Sequence, residues 1–236
     1  MNITAEEKLM YEVMKAVYDS GIPVNFKGSM VLKACLLEAG YTEDTRHTVD
    51  VDANWFSDTP PTGEQLTKSL QKAITDSGIN LIVRLYRMYG EGRSAGFELT
   101  DGDSGEIMFT IDMDVNRPTQ ETKIYEVAGM HFCGVAPVHM IADKLVVVSS
   151  EKVFRRIKDV VDLYYLSRAF TFDRKSILET IRKSEKSLGS FQGFLHRSDD
   201  LRHAYEKFRF EGNVKKPPFD EVYQATKSFI RTALPE

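Results

Sequence analysis

The stretch from residue 26 to residue 55 constrains the fold most, because two different side-chain periods follow each other within it. The run Met30–Ala39 is almost wholly apolar and is followed by Gly40, which is typical of a buried helix and its carboxy-terminal glycine. The run Thr48–Ala53 alternates polar and apolar residues, which predicts a strand. The chain therefore needs a sheet with at least one helix packed against it.

Gly28 and Ser29 immediately precede the apolar run, so we expect them at the amino end of the helix. Unpaired backbone N–H groups and the positive end of the helix dipole favour an anion such as a phosphate at that position. Gly28 would let the anion approach the backbone, and the Ser29 hydroxyl would add a hydrogen bond. The alternative is that Ser29 only caps the helix.

Thr48, Asp50 and Asp52 are spaced by two residues, so on a strand they share one face while Val49 and Val51 enter the core. Two neighbouring carboxylates repel each other unless a cation lies between them. Such a pair suits Mg²⁺, or Mn²⁺, which takes oxygen ligands from carboxylates and substrate phosphates. The alternative is the solvated outer face of an edge strand.

A later strand is predicted over Glu106–Asn116, where Thr110, Asp112 and Asp114 again share a face. If this strand lies beside the first, Asp112 or Asp114 brings a third carboxylate to the same site. We favour Asp112, because it lies within the apolar part of the strand. The alternative is that both carboxylates face solvent.

The remaining pattern predicts an α+β fold, with strands and helices at residues 1–136 and a helical part at residues 137–236. Thr4-x-x-Glu7 is a capping box for a first helix, and Thr62 caps a helix over Gly63–Ser77. The further predicted elements are, in chain order, strands Asn80–Met88 and Ser94–Leu99, a hairpin of Lys123–Val127 and Met130–Val135, a helix beginning at Pro137, and helices Asp173–Lys186, Ser198–Phe208 and Pro218–Leu234.

Composition indicates a globular protein without a membrane segment. No apolar run approaches the roughly twenty residues that span a bilayer, and the amino end lacks the pattern of a secretory signal. Cys35 and Cys133 lie in apolar surroundings, so we interpret them as reduced thiols of a cytoplasmic protein. The net charge of −4 hides an acidic first half and a basic stretch over residues 144–186, a distribution that suits cations on one side and phosphates on the other.

Two groups in the second half stand out from their surroundings. Lys144 lies on a largely apolar helix face, where the simplest interpretation is a lysine that extends its ammonium to solvent. Asp159 and Asp162 are neighbours on one face of an apolar helix segment. A carboxylate in such a segment must be paired or functional, because burial of an unpaired charge is costly. An ion pair of Asp159 with Arg155 or Arg156 is the simpler alternative.

Four ordered motifs resemble those of the AbiEii/AbiGii-type nucleotidyltransferase toxins, which belong to the DNA polymerase β-like nucleotidyltransferases. In chain order the motifs are Gly28-Ser29; Arg46-x-Thr48-x-Asp50-x-Asp52; Ala142-Asp143-Lys144-Leu145; and Arg156-x-Lys158-Asp159-x-x-Asp162-Leu163-Tyr164-x-Leu166. The resemblance extends from about Phe26 to Leu166. It implies the polymerase β-like mixed sheet and transfer of a nucleoside monophosphate from a nucleoside triphosphate to an acceptor.

The resemblance also implies roles for individual residues. Asp50 and Asp52 would hold magnesium, and the strand pattern described above adds Asp112 as the third carboxylate. Lys144 would contact the triphosphate, and Asp159 would act beside the reacting groups. The nucleotide-binding residues implied by the motifs are Gly28, Ser29, Arg46, Thr48, Lys144 and Asp162. Members of the family are typically encoded beside an antitoxin partner, and some transfer nucleotides to tRNA, so the resemblance implies an antitoxin protein as a partner and tRNA or another RNA as the acceptor.

Two other classes of protein fit the same residues. A catalytically inactive relative would bind a nucleotide or a protein partner without turnover, and loss of the third carboxylate would favour it. An interaction module would use the carboxy-terminal helices, which carry no matching motif. An assay of the purified protein with labelled nucleoside triphosphates, magnesium and bulk RNA distinguishes these classes of protein.

Overall fold

The computed structural model describes residues 2–43, 45–116, 121–210 and 214–233. Contacts divide the chain into two compact units. The first contains residues 1–38 and 48–135, and the second contains residues 39–47 and 136–236. The domain boundary expected from the sequence, between residues 136 and 137, stays a prediction.

The first unit is a mixed sheet with three helices. In chain order its elements are α1 (Ala5–Asp19), β1 (Val24–Lys27), α2 (Gly28–Glu38), β2 (Asp50–Trp55), α3 (Gly63–Asp76), β3 (Leu81–Tyr89), β4 (Ser94–Asp101), β5 (Ile107–Val115), β6 (Thr122–Val127) and β7 (Met130–Val135). Within the described ranges the sheet has seven strands in the order β3-β4-β5-β2-β1-β7-β6. The β2–β5 and β1–β7 pairs are parallel, and the other neighbours are antiparallel.

Local signals account for the helices of this unit. Thr4 and Glu7 form the predicted capping box of α1, and Thr62 with Gln65 forms one at α3. The apolar stripe of α1 is buried and the helix contacts β7, while α2 contacts β2 and β6 and α3 contacts β3. The core lies between these helices and the face of the sheet that carries Phe26, Val51, Ala53, Phe97, Ile111 and Met113.

All the regular elements that the structure describes in the second unit are helical. These are α4 (Pro137–Val148), a 3-10 turn (Val153–Arg156), α5 (Ile157–Ala169), α6 (Arg174–Lys183), α7 (Gln192–His196), α8 (Ser198–Lys207) and α9 (Phe219–Ala233). Helix α5 is buried along most of its length and packs against α4 and α9. Taken over the described parts of the chain, no helix is both long and apolar enough to cross a bilayer.

The structure confirms the predicted fold class and corrects several details. Strand β2 begins at Asp50, so Thr48 lies before it, and Val49 is 61% exposed instead of entering the core. Helix α7 was not predicted. It is five residues long, Phe191 precedes it in the left-handed region at φ 58°, and no side chain caps it, so no local signal marks its start. The predicted end of the last helix at Leu234 lies outside the described residues.

Candidate active site

The turn between β1 and α2 brings the backbone of Gly28 against Asp52. Strand β1 pairs with β2 so that Lys27 lies opposite Asp52, and Gly28 then opens the helix at φ +72°. A Cβ on residue 28 would lie 2.0 Å from Asp52 Oδ2, so a larger residue does not fit without displacing that carboxylate. The structure thus places the amino end of α2 next to Asp52, and it confirms that Gly28 and Ser29 begin a buried helix.

Asp50 and Asp52 share the face of β2 opposite the core, as the alternation predicted. Both are partly exposed, whereas Val51 and Ala53 between them are buried. Thr48 is buried, and its hydroxyl donates a hydrogen bond of 2.6 Å to Asp50 Oδ1. This hydrogen bond fixes the orientation of the Asp50 carboxylate. The binding of a nucleotide by Thr48 stays a prediction.

Strand β5 is the parallel neighbour of β2, and Asp112 lies opposite Asp52 in the register. The carboxylates of β5 are held by cations from β3 and β1, each of which lies two strands away from β5 in the same sheet. Arg87 Nη2 lies 2.8 Å from Asp112 Oδ1, and Lys27 Nζ lies 2.5 Å from Asp114 Oδ2. The adjacency of the two acidic strands is therefore shown, while the choice between Asp112 and Asp114 as a third metal ligand stays a prediction.

Sequence reasoning missed these partners of the β5 acids. Ser94 also donates to Asp114 at 2.7 Å, and the Tyr86 hydroxyl lies 3.4 Å from Asp112. The order of strands decides which cation meets which acid, and that order is set by contacts distant in sequence. The Arg and Tyr residues in the sequence of β3 were the only local sign that Asp112 would have such partners.

The donor chemistry at the Gly28 turn fits a divalent cation. Asp50 and Asp52 offer hard carboxylate oxygens on one face, and the absence of a Cβ at residue 28 leaves room for the Asp52 carboxylate beside the start of α2. Among the side chains that the structure describes, no three His, Cys, Asp or Glu residues gather as a ready metal cluster. The assignment of Asp50 and Asp52 as magnesium ligands and the predicted triad with Asp112 both stay predictions.

The second unit contains a buried network of charges around Lys144. Its ammonium donates to Asp159 Oδ1 at 2.6 Å and to Asp162 Oδ2 at 2.8 Å. Asp159 also accepts from Arg156 Nε at 2.7 Å, and Asp162 accepts from Arg46. Both carboxylates are almost fully buried, with 2% and 1% of their side chains exposed. Lys144 therefore does not extend to solvent, and Asp159 is paired both with Lys144 and, as in the simpler alternative, with Arg156.

Electrostatic pairing controls ionisation in this network. Burial raises the pKa of the Asp162 carboxyl, but the charges of Arg46 and Lys144 outweigh burial and hold that pKa below its usual range. Burial lowers the pKa of the Lys144 ammonium, but the charges of Asp162 and Asp159 raise it to about 12. Lys144 and Asp162 are thus both charged near neutral pH. The expectation that Asp159 acts beside Asp50 and Asp52 stays a prediction.

Two solved structures with a similar fold are a nucleotidyltransferase toxin and a nucleotidyltransferase-like protein. The nucleotidyltransferase toxin MenT4 from Mycobacterium tuberculosis H37Rv superposes with a TM-score of 0.57 and 13% identity, over 97% of this chain and 82% of that chain. An antigenic nucleotidyltransferase-like protein from Paracoccidioides brasiliensis gives a TM-score of 0.54 and 16% identity, over 85% of this chain and 92% of that chain. The fold is therefore that of the nucleotidyltransferase-like proteins.

The sequence itself matches one family model over most of its length. The model describes the nucleotidyl transferase AbiEii toxin of type IV toxin–antitoxin systems, and it covers residues 14–225. The chain belongs to this AbiEii family of nucleotidyltransferase toxins, as the four motifs indicated, and is thereby a nucleotidyltransferase. No curated protein matches the sequence.

Proposed function

We propose that the chain transfers a nucleoside monophosphate from a nucleoside triphosphate to a hydroxyl of an RNA acceptor, with magnesium held by Asp50 and Asp52. The observation that carries the proposal is the packing of Gly28 against Asp52, where a Cβ would lie 2.0 Å from the carboxylate oxygen. This packing brings a phosphate-binding helix end and a metal-binding acid within a few ångströms of each other.

Each part of the proposed site has a defined task. The backbone N–H groups at Gly28 and Ser29 bind the phosphates of the nucleotide. Asp50 and Asp52 would hold magnesium, which would supply positive charge to neutralise the α-phosphate and the leaving pyrophosphate. Thr48 keeps the Asp50 carboxylate in a single orientation through its 2.6 Å hydrogen bond. Precise positioning matters most here, because phosphoryl-type transfer asks little covalent chemistry of the protein.

The reaction replaces one phosphate linkage by another. The acceptor hydroxyl loses its proton to water as its oxygen forms a bond to the α-phosphorus, the bond from that phosphorus to the bridging oxygen breaks, and pyrophosphate leaves. Asp112 lies opposite Asp52 on the neighbouring strand, which suits it to orient the acceptor hydroxyl. Lys144, with Asp159 and Asp162 holding it, is proposed to contact the triphosphate, and Arg46 secures Asp162 from the other side.

The family places such an enzyme in a toxin–antitoxin system, so we propose that an antitoxin limits this activity in the cell. A nucleotidyltransferase that modifies RNA would act as a toxin by removing that RNA from use. The family match names the toxin and its activity but not the acceptor, so the acceptor is what the experiment must measure.

The test is transfer of label from α-labelled nucleoside triphosphates to bulk RNA, with and without magnesium. We expect magnesium-dependent label in RNA with the parent protein and none with Asp52→Asn. Asp76→Asn is the matched control, because Asp76 is an exposed carboxylate of the same unit that pairs with Lys72 one turn away on α3. Label on protein instead of RNA would contradict the proposed acceptor, and absence of any transfer would favour the inactive relative.

A further inference from the structure

Strand β3 exposes a row of aromatic and basic side chains at its carboxy-terminal end. We call Tyr86, Arg87 and Tyr89 the Tyr-Arg-Tyr surface. The two tyrosines are 41% and 48% exposed. The guanidinium carbon of Arg87 lies 4.9 Å from the centroid of the Tyr86 ring and 5.3 Å from that of the Tyr89 ring. Two aromatic rings thus flank one planar cation on the surface.

The pairing of β3 with β4 determines the position of the Tyr-Arg-Tyr surface. The pairing of β3 with β4 shifts between Leu85 and Arg87, and such an irregularity commonly re-aims side chains at a functional edge. Tyr86 lies directly over Gly96 of β4, where a Cβ would meet the ring at 2.7 Å. Gly96 therefore provides the space in which the Tyr86 ring rests, and a larger residue would displace it.

The same surface adjoins the proposed catalytic face. Gly96 lies opposite Asp112 in the pairing of β4 with β5. Arg87 donates to Asp112 at 2.8 Å, and the Tyr86 hydroxyl lies 3.4 Å from the same carboxylate. A molecule that stacks on Tyr86 would therefore reach the acid that the proposed function assigns to the acceptor hydroxyl.

The chemistry of the surface defines its ligand. Exposed aromatic rings interleaved with arginines bind single-stranded nucleic acid, because bases stack on the rings and phosphates pair with the guanidinium groups. Arg93 adds a further basic residue in the turn after β3, while Arg84 lies opposite Glu98 in the register. We propose that the Tyr-Arg-Tyr surface stacks the terminal bases of a single-stranded RNA acceptor. This inference rests on the proposed function, and it names the acceptor subsite.

The test measures binding of a labelled, unstructured RNA oligonucleotide by fluorescence polarisation, without nucleoside triphosphate. Loss of one stacking ring typically weakens binding about tenfold. We therefore expect Tyr86→Ala and Tyr89→Ala each to raise the Kd by about that factor, and Tyr86→Phe to bind like the parent protein. Ile124→Ala is the matched control, because Ile124 is 54% exposed on β6, the opposite edge strand of the described sheet.

The outcomes separate this inference from the proposed function. If the tyrosine variants bind RNA like the parent, or if the parent does not bind single-stranded RNA, the inference is overturned and the exposed rings are better explained as a protein-docking face. If transfer to RNA occurs and its KM for RNA is unchanged in Tyr86→Ala and Tyr89→Ala, the inference fails while the function stands. If binding depends on both rings but no transfer occurs, the surface stands and the proposed function fails.

Discussion

Asp162 receives two parallel hydrogen bonds from the guanidinium of Arg46, with Nε–Oδ1 at 3.0 Å and Nη2–Oδ2 at 3.1 Å. The two residues are 116 positions apart in the chain, and Asp162 is 1% exposed while Arg46 is 12% exposed. A bidentate pair of this kind fixes both side chains in one geometry. It attaches the segment of residues 39–47 to α5 within the second unit.

Removal of one partner should destabilise the second unit, because a buried charge would lose its compensation. We expect Asp162→Ala to lower the free energy of unfolding by about 3–5 kcal/mol. Arg46→Lys keeps the charge but loses the bidentate geometry, so it should cost about 1.5–3 kcal/mol. Urea denaturation followed by far-ultraviolet circular dichroism measures both values. Lys183→Ala, which removes an exposed pair with Glu179, should show no measurable change.

The lowered pKa of Asp162 predicts an acid-dependent loss of stability. A carboxyl whose pKa is lower in the folded state stabilises the fold above its unfolded pKa, which is about 3.9, and loses that contribution as the pH falls further. The unfolding free energy of the parent should therefore fall more steeply below about pH 4 than that of Asp162→Asn. Urea titrations between about pH 2.5 and 6 supply the comparison, and equal slopes would contradict the pairing.

Elements marked by local signals were predicted well from the sequence. Thr4 and Thr62 were predicted as helix caps, and both form capping boxes. The alternation at Asp50–Ala53 predicted the face of β2 that carries the acids, although Val49 lies before the strand and is exposed. These features depend on a few neighbouring residues, so a single sequence contains the information that specifies them.

Contacts between distant segments were not predictable in the same way. The sequence indicated that Asp159 would be paired, but it did not show that Lys144 would join Asp159 to Asp162. Nor did it show that Arg87 would meet Asp112, because that contact depends on β4 lying between β3 and β5. Packing of several elements decides such pairs, and no local pattern records that packing.

Substitution of Gly28 tests the contact with Asp52. Gly28→Ala should reduce nucleotide transfer about a hundredfold, because a Cβ would displace the Asp52 carboxylate and misplacement by about 1 Å has effects of that size. Gly129→Ala is the matched control. Gly129 has φ +80° and no described atom within 4 Å of the position that a Cβ would take, so this variant loses only about 1 kcal/mol to backbone strain. If both variants retain the same activity, the close contact has no catalytic importance.

Neutralising either acid of β2 should abolish magnesium-dependent transfer while the fold stays intact. Asp50→Asn and Asp52→Asn change little volume, but each removes a negative charge that a divalent cation requires. Transfer assays at several magnesium concentrations, together with thermal unfolding curves, distinguish a lost site from a lost fold. Asp76→Asn should behave like the parent, and parental turnover in either β2 variant would show that the metal ligands lie elsewhere.

Lys144→Ala should weaken binding of a nucleoside triphosphate much more than binding of the corresponding monophosphate. The Lys144 ammonium directs two of its three donors to Asp159 and Asp162, an arrangement that holds the charge in place and leaves a donor to offer to a distal phosphate oxygen. We expect the Kd for the triphosphate to rise about tenfold and that for the monophosphate to change little, as one lost charge-assisted hydrogen bond predicts.

Calorimetric titration of both nucleotides in the presence of magnesium measures this difference. Lys186→Ala provides the control, because Lys186 forms an exposed ion pair with Asp143 of α4 at 2.6 Å and has no proposed role in binding. Removal of Lys144 also leaves two buried carboxylates with one cation fewer, so the variant should be less stable whatever its role in binding. The titrations are therefore run at a temperature well below that at which the Lys144→Ala variant unfolds. Equal weakening for the two nucleotides would identify Lys144 as a structural partner of Asp159 and Asp162, with no contact to the triphosphate.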